Sequence, residues 1–180
     1  VQNPVQSLVD VELSRPSSRA SLERHYLSLG RRSRRLRFLG DVPDESLRRL
    51  ARDTRPDAVF GVEVNGVLRG VLEIYDTGCG HAEIGISIED SFQGMGYGRR
   101  VFLYGLAHAM RMAVRTADLY FSRNNTGIAA LIRMAGGRIH YDGTDAFADI
   151  DLERLPSCPD ARSGSGECPE EKESDHGGVA

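Results

Sequence analysis

Two runs that alternate apolar and polar residues, Ala58–Val64 and residues 67–76, meet at Asn65-Gly66. That dipeptide populates the positive φ angles a two-residue hairpin turn requires, so the two runs are predicted to pair antiparallel. A third alternating run, His81–Ile88, follows after Thr77-Gly78-Cys79-Gly80. The chain must therefore build a three-strand antiparallel meander in its centre. An all-helical fold and a doubly wound parallel sheet are both excluded by that order.

Helical and extended periods surround the meander. A short strand is predicted over 9–13 and a helix over 18–29, with Ser17 and Ser18 as candidate caps and Gly30 as its stop. Residues 44–52 read as a helix capped by Asp44. Residues 99–112 carry Phe102, Leu103, Leu106, Ala109 and Met110 at helical spacing. A strand (117–121), a helix (126–135) and two short strands (138–142 and 147–152) complete an α+β order.

A length of 180 residues suits one domain. The formal charge is −3, unevenly spread. Residues 156–180 carry a net of −4, in a stretch rich in Pro, Gly, Ser and Glu, and leave +1 over residues 1–155. The expected division is a domain over 1–155 and a disordered acidic tail over 156–180. A nearly neutral domain makes nucleic acid an improbable partner. No apolar run reaches the roughly 18 residues of a membrane span, and the first ten residues do not read as a signal peptide. Three cysteines (Cys79, Cys158, Cys168), an odd number without a Cys-x-x-Cys pair, argue against a disulfide framework or zinc cluster. They suggest a reducing, cytoplasmic setting. No metal site is expected: His81 and His108 lack a ligand pattern.

Chemistry concentrates in residues 86–100, which end a strand and open a helix. Gly94, Gly96 and Gly98 let the backbone turn its N–H groups inward, and the helix adds unpaired N–H groups and a positive dipole end. Such a turn suits a pyrophosphate. Arg99 and Arg100 in the first turn oppose the helix dipole and fit best beside a bound anion. A Walker loop requires Gly-Lys-Ser/Thr, which is absent. A Rossmann fingerprint requires Gly-x-Gly-x-x-Gly early in a βαβ unit, and here Gly-x-Gly-x-Gly follows a meander.

Gln93-Gly94-Met95-Gly96-Tyr97-Gly98 resembles the coenzyme-A loop of the GNAT superfamily of N-acetyltransferases, Gln/Arg-x-x-Gly-x-Gly/Ala. Asn125, followed eleven residues later by Gly136, is similar to the family's Asn at a strand-to-helix turn and Gly at that helix's end. Gly137 stands where the family usually has an aromatic residue. Tyr26-Leu27-Ser28-Leu29 and Ser33-Arg34-Arg35-Leu36-Arg37-Phe38 resemble a bacterial subgroup marked by a Ser followed by Arg-Phe. That subgroup includes the GNAT domains of bacterial protein lysine acetyltransferases. The resemblance covers about residues 5–155.

It implies a mixed, mostly antiparallel sheet flanked by helices. It also implies an acetyl-CoA-dependent N-acetyltransferase acting on a primary amine, without a metal. Two strands, ending near Ile88 and Phe121, would splay to hold the pantetheine arm against the backbone of Ile86 and Ile88. An N–H near Ile88 would polarise the thioester carbonyl. Gly94, Gly96, Gly98 and Arg99 would hold the pyrophosphate, with Gln93 and Asn125 as further cofactor contacts. Asn125 reads equally as a helix cap. Glu83, ten residues before Gln93, is the candidate general base; its alternative is a solvent-facing strand residue. The family's Tyr acid would stand seven residues after Asn125, where this chain has Ile132.

The run Arg31–Arg37 holds five arginines in seven residues. It reads either as a grip for an acidic substrate or nucleic acid, or as a solvated helix face with Leu36 and Phe38 turned inward. Three functional readings follow: an acetyltransferase, a non-catalytic acyl-CoA-binding module, and a nucleic-acid module built on the arginines. The acceptor (small amine or protein lysine) is open, and edge strands near the C-terminal hairpin leave room for a homodimer. Only Lys172, in the tail, offers a lysine for self-acetylation.

Overall fold

The computed structural model describes residues 6–155; the predicted acidic tail lies outside the described residues. Seven strands form one sheet: β1 (Gln6–Asp10), β2 (Ala58–Val64), β3 (Val67–Gly78), β4 (His81–Ile88), β5 (Thr116–Ser122), β6 (Arg138–Asp142) and β7 (Asp145–Asp151). Their spatial order is β1-β2-β3-β4-β5-β7-β6. Every neighbouring pair is antiparallel except β4–β5. Asn65 and Gly66 take φ values of 52° and 72° at the β2–β3 turn, as the hairpin reading required.

Helices cover both faces. α4 (Tyr97–Arg111) and α5 (Thr126–Met134) lie on one side. There Val101, Phe102, Leu106 and Ile132 bury against Leu72, Ile84, Leu119 and Ile150 of the sheet. α1 (Pro16–Ser28) and α3 (Asp44–Asp53) lie on the other. Their Leu22, Tyr26, Leu47 and Ala51 bury against Val59, Leu68 and Val71. The alternation of β2–β4 is thus a sheet with two covered faces. α2 (Arg31–Phe38) sits at the edge of this second layer, without a fully buried residue.

Several boundaries differ from the sequence reading. β1 spans Gln6–Asp10 and not 9–13, because its register is fixed by pairing with β2, Val9 opposite Gly61. α1 begins at Pro16, whose fixed φ and missing N–H suit a first helical position; neither Ser17 nor Ser18 caps it. Gly30 serves as the N-cap of α2 in extended conformation, so its role as stop passes to Leu29. Pro43 precedes α3, which moves Asp44 from cap to first turn. α4 starts at Tyr97, two residues before the expected Arg99, because Gly96 supplies a left-handed cap at φ 83°. Among the described residues no helix is long and apolar enough to cross a membrane.

Candidate active site

β4 and β5 pair only from His81–Thr116 to Glu83–Asp118. Beyond that register both strands continue, β4 to Ile88 and β5 to Ser122, without pairing to each other. The gap opens into a cavity of ≈ 570 Å³. Ile86, Ser87 and Ile88 form one wall, and Asn124, Asn125 and Leu131 the other. Gln93, Gly94, Gly96, Gly98 and Arg99 close its end, and α2 roofs it with Arg32, Ser33, Leu36 and Arg37.

The closed end is built for an anion. Gly94 and Gly96 have φ of 74° and 83°, and a Cβ on either would meet nothing within 4 Å. Backbone conformation, not crowding, demands glycine there. The first helical hydrogen bond of α4 runs from Arg100 N to Gly96 O at 3.1 Å, so the N–H groups of Tyr97, Gly98 and Arg99 precede the ladder. Gly98 has ordinary helical φ; a Cβ there would point at Ile88 and Leu131 across the cavity floor. Arg99 and Arg32 flank this end, and neither is paired to a carboxylate among the described residues.

A polar latch holds the roof to this end. The carboxylate of Asp90 accepts from Ser33 Oγ at 2.9 Å and from Gly30 N at 2.8 Å. Gln93 Nε2 donates to Ser33 Oγ at 3.1 Å and to the Ile88 carbonyl at 3.0 Å. Gln93 therefore lines the cavity with its amide engaged in fixing α2 to the end of β4. Asn125 also has a structural duty: its Oδ1 accepts from Ile128 N at 3.2 Å and caps α5, while the residue lines the cavity.

Beneath the roof lies a buried network that the sequence reading missed. Glu73, 1% exposed, accepts from Tyr26 at 2.7 Å, Arg37 at 2.6 Å and Tyr75 at 3.0 Å. Burial and then the Glu73 charge push the Tyr75 phenol up to about 12. The same two causes raise Tyr26 well above the ordinary tyrosine value. A lone acid inside an apolar strand was the available signal for this hub. Next to it, His25 is fully buried, with Nε2 2.8 Å from Ser87 Oγ. Burial, then the charges of Arg37 and Arg69, lower its pKa to about 3. The imidazole is neutral, so its 3.9 Å approach to Glu89 is no ion pair; Glu89 is held instead by Arg69 at 2.8 Å.

The arginine run of α2 is mostly consumed inside the fold. Arg34 donates to the carbonyls of Leu27 and Leu29 at the end of α1, each at 2.7 Å, and pairs with Asp44. Arg31 and Arg35 pair with Asp41, and Arg37 with Glu73. Arg32 remains, at the cavity rim.

Glu83 does not line the cavity. Its neighbours Ala82 and Ile84 are buried in the α4 core, so the alternating Glu83 faces the opposite side of the sheet, exposed. It stands at the last paired register before the strands separate. Ile132 is fully buried, and a Cβ on Gly137 would come within 2.7 Å of it. The two departures from the family pattern are thus one packing solution: Ile132 fills the space a side chain at 137 would need.

A parallel strand pair that parts over a cavity, with a glycine turn of unpaired N–H groups at one end, is the geometry an acyl-CoA-type transferase requires. A sequence profile of the Acetyltransferase (GNAT) family matches residues 27–136, and the chain belongs to that family of N-acetyltransferases. No curated protein matches the sequence. Among solved structures, the fold is similar to the GNAT domain of S. lividans PAT, with 14% identity and a TM-score of 0.67 over 82% of this chain and 96% of that one. It is similar to the ribosomal-protein-S18-alanine N-acetyltransferase from Escherichia coli, with 13% identity and a TM-score of 0.62 over 89% and 100%. The PaiA N-acetyltransferase from Thermoplasma acidophilum, in complex with coenzyme A, shares 13% identity and a TM-score of 0.61 over 82% and 99%.

Proposed function

We propose that the chain uses acetyl-CoA to acetylate a primary amine by direct attack of the amine on the thioester. The parting of β4 from β5 beyond Glu83–Asp118, over a cavity that ends on the glycine turn, carries this reading. The N–H groups of Gly94, Gly96, Gly98 and Arg99 hold the pyrophosphate, and Arg32 and Arg99 add charge at the rim. The unpaired edge of Ile86 and Ile88 offers strand-like bonds to the pantetheine arm, and an N–H near Ile88 polarises the thioester carbonyl. The coenzyme-A complex of the Thermoplasma relative supports the same ligand class here.

The acceptor arrives as an ammonium and must lose a proton before it attacks. Glu83 takes that proton, directly or through water. The thiolate leaves without a positioned tyrosine, since Ile132 is in the core. The same buried Ile132 favours a second reading, a module that binds acyl-CoA without turnover.

Two measurements decide. Calorimetry with acetyl-CoA gives micromolar binding under both readings, and its absence removes both. Thiol release with a panel of amines occurs only under the first. Glu83→Gln lowers kcat by roughly 10²–10⁴-fold and leaves acetyl-CoA affinity unchanged. A kcat near that of the parent removes Glu83 as base.

A further inference from the structure

We propose that the His81–Asp118 pair is the proton exit of the acetyl transfer, receiving through water the proton that Glu83 takes from the acceptor. This rests on the reading of Glu83 as base. His81 Nδ1 lies 2.9 Å from Asp118 Oδ2. A carboxylate only accepts, so in the neutral ring Nδ1 carries the proton and Nε2 is the acceptor. The imidazole is half exposed, with side-chain accessibility of 50%. Its Nε2 can therefore exchange with bulk water.

Position connects the pair to the chemistry. Glu83 lies two residues beyond His81 on the same face of β4, about 6.6–6.8 Å along the strand, a gap one water spans. Glu83, Asp118 and Asp149 stand in one row across β4, β5 and β7. Like charges in neighbouring cross-strand positions repel, and the structure answers each differently. Asp149 is held by Arg138 at 2.7 Å and approached by His140 at 3.4 Å. Among the described residues Asp118 is answered by His81 alone. Glu83 has no partner among the described residues. The other charges around His81 are already engaged: Asp151, across β5, pairs with Arg154, and Arg115 donates to the Cys79 carbonyl. Tyr75, opposite Glu83 on β3, is bonded to Glu73 and Thr54. Arg35 and Arg37 of α2 are paired to Asp41 and Glu73.

The step balances as follows. An ammonium N–H bond breaks and its proton goes to a Glu83 carboxylate oxygen. The freed nitrogen forms a bond to the thioester carbon, the C–S bond breaks, and the second N–H proton goes to the departing thiolate. Glu83 then passes its proton through water to His81 Nε2. Asp118 stabilises the resulting imidazolium until bulk water takes the proton, which resets Glu83. His81 and Asp118 are positioning residues in this scheme; neither touches the acceptor.

The test uses the full chain with His81→Gln and Asp118→Asn, read by thiol release across pH at low buffer concentration. An asparagine at 118 removes the charge that stabilises the imidazolium and no longer holds Nδ1 in its protonated tautomer, since its amide can donate to Nδ1 as well as accept from it. We expect kcat to fall roughly ten-fold in either variant, less than for the base itself. The double variant should fall no further. The KM for acetyl-CoA should hold, and added imidazole should restore the rate of His81→Gln while leaving the parent unaffected. A purely structural role would not respond to imidazole. Unchanged kcat in both variants, or no rescue, overturns the proposal. Glu83→Gln is the separate arm: parent-like turnover there removes the base reading itself. A slow Glu83→Gln beside parent-like His81 and Asp118 variants removes only the exit.

Discussion

Arg37 lies over Gly85, its guanidinium occupying the place a Cβ on that glycine would take. From there it donates to Glu73 at 2.6 Å. The roof helix α2 is thereby pinned across β4 to Glu73 of β3, at the register where β4 has just left β5. Gly85→Ala must push the guanidinium away and leave Glu73 with only its two tyrosine donors. A hydrogen bond to a buried charge contributes about 1.5–3 kcal/mol. We expect thermal unfolding to drop by roughly 3–12 °C. Arg37→Lys, which loses the planar fork but keeps a charge, should fall between the parent and Gly85→Ala. An unchanged melting temperature in Gly85→Ala contradicts the pin.

Asp90 ties the other end of α2 to the anion turn through Ser33 and Gly30. Asp90→Asn removes the charge and replaces one acceptor oxygen by a donor, which the Gly30 N–H cannot use. Losing about 1–1.5 kcal/mol of that latch loosens the turn proposed to hold the cofactor phosphates. The KM for acetyl-CoA should rise roughly five- to twelve-fold, with kcat at saturation nearly kept. Titration calorimetry with coenzyme A checks the same change directly. A rise in the amine KM alone would place the latch on the acceptor side instead.

His25 gives the fold an acid-sensitive point. Its pKa is about 3 in the native state against 6.5 in the unfolded chain. Between these values the unfolded chain binds the extra proton, so the contribution is complete above about pH 6.5 and is lost as pH falls toward 3. The slope is about 1.4 kcal/mol per pH unit inside that window. Urea unfolding between pH 7 and 4.5 should show falling stability in the parent. His25→Gln, which keeps a polar partner for Ser87 and cannot titrate there, should flatten that fall. Equal slopes in both proteins would locate the sensitive group elsewhere.

Local chemistry was legible in the sequence, and distant pairing was not. The hairpin at Asn65-Gly66 and the glycine turn each declare themselves through backbone requirements that few residues meet. The parted strands followed only from the family resemblance carried by Gln93, Gly96 and Gly98. The five arginines of α2 were visible as charge, but the neutralisation of four of them depends on Asp41, Asp44 and Glu73, brought together by the fold. Glu73 itself looked like one acid among apolar neighbours. Its donors come from residues 26, 37 and 75, on three different elements. Helix starts moved by two residues because Pro16 and Gly96 set them, against the serine and arginine cues.

Ile132 supplies the last test, because it separates a missing acid from a relocated one. The residue is fully buried, and the space beside it is limited by Gly137 and Ile150. Ile132→Tyr places a larger ring in a filled core and must find a partner for a buried hydroxyl. Overpacking of this kind costs about 1–3 kcal/mol. The melting temperature should therefore fall by roughly 2–12 °C. Thiol release should not accelerate, and the pH–rate profile should gain no new alkaline limb, because the phenol does not reach the cavity. A faster enzyme with an added alkaline limb would show instead that position 132 faces the thioester, and would overturn its assignment to the core.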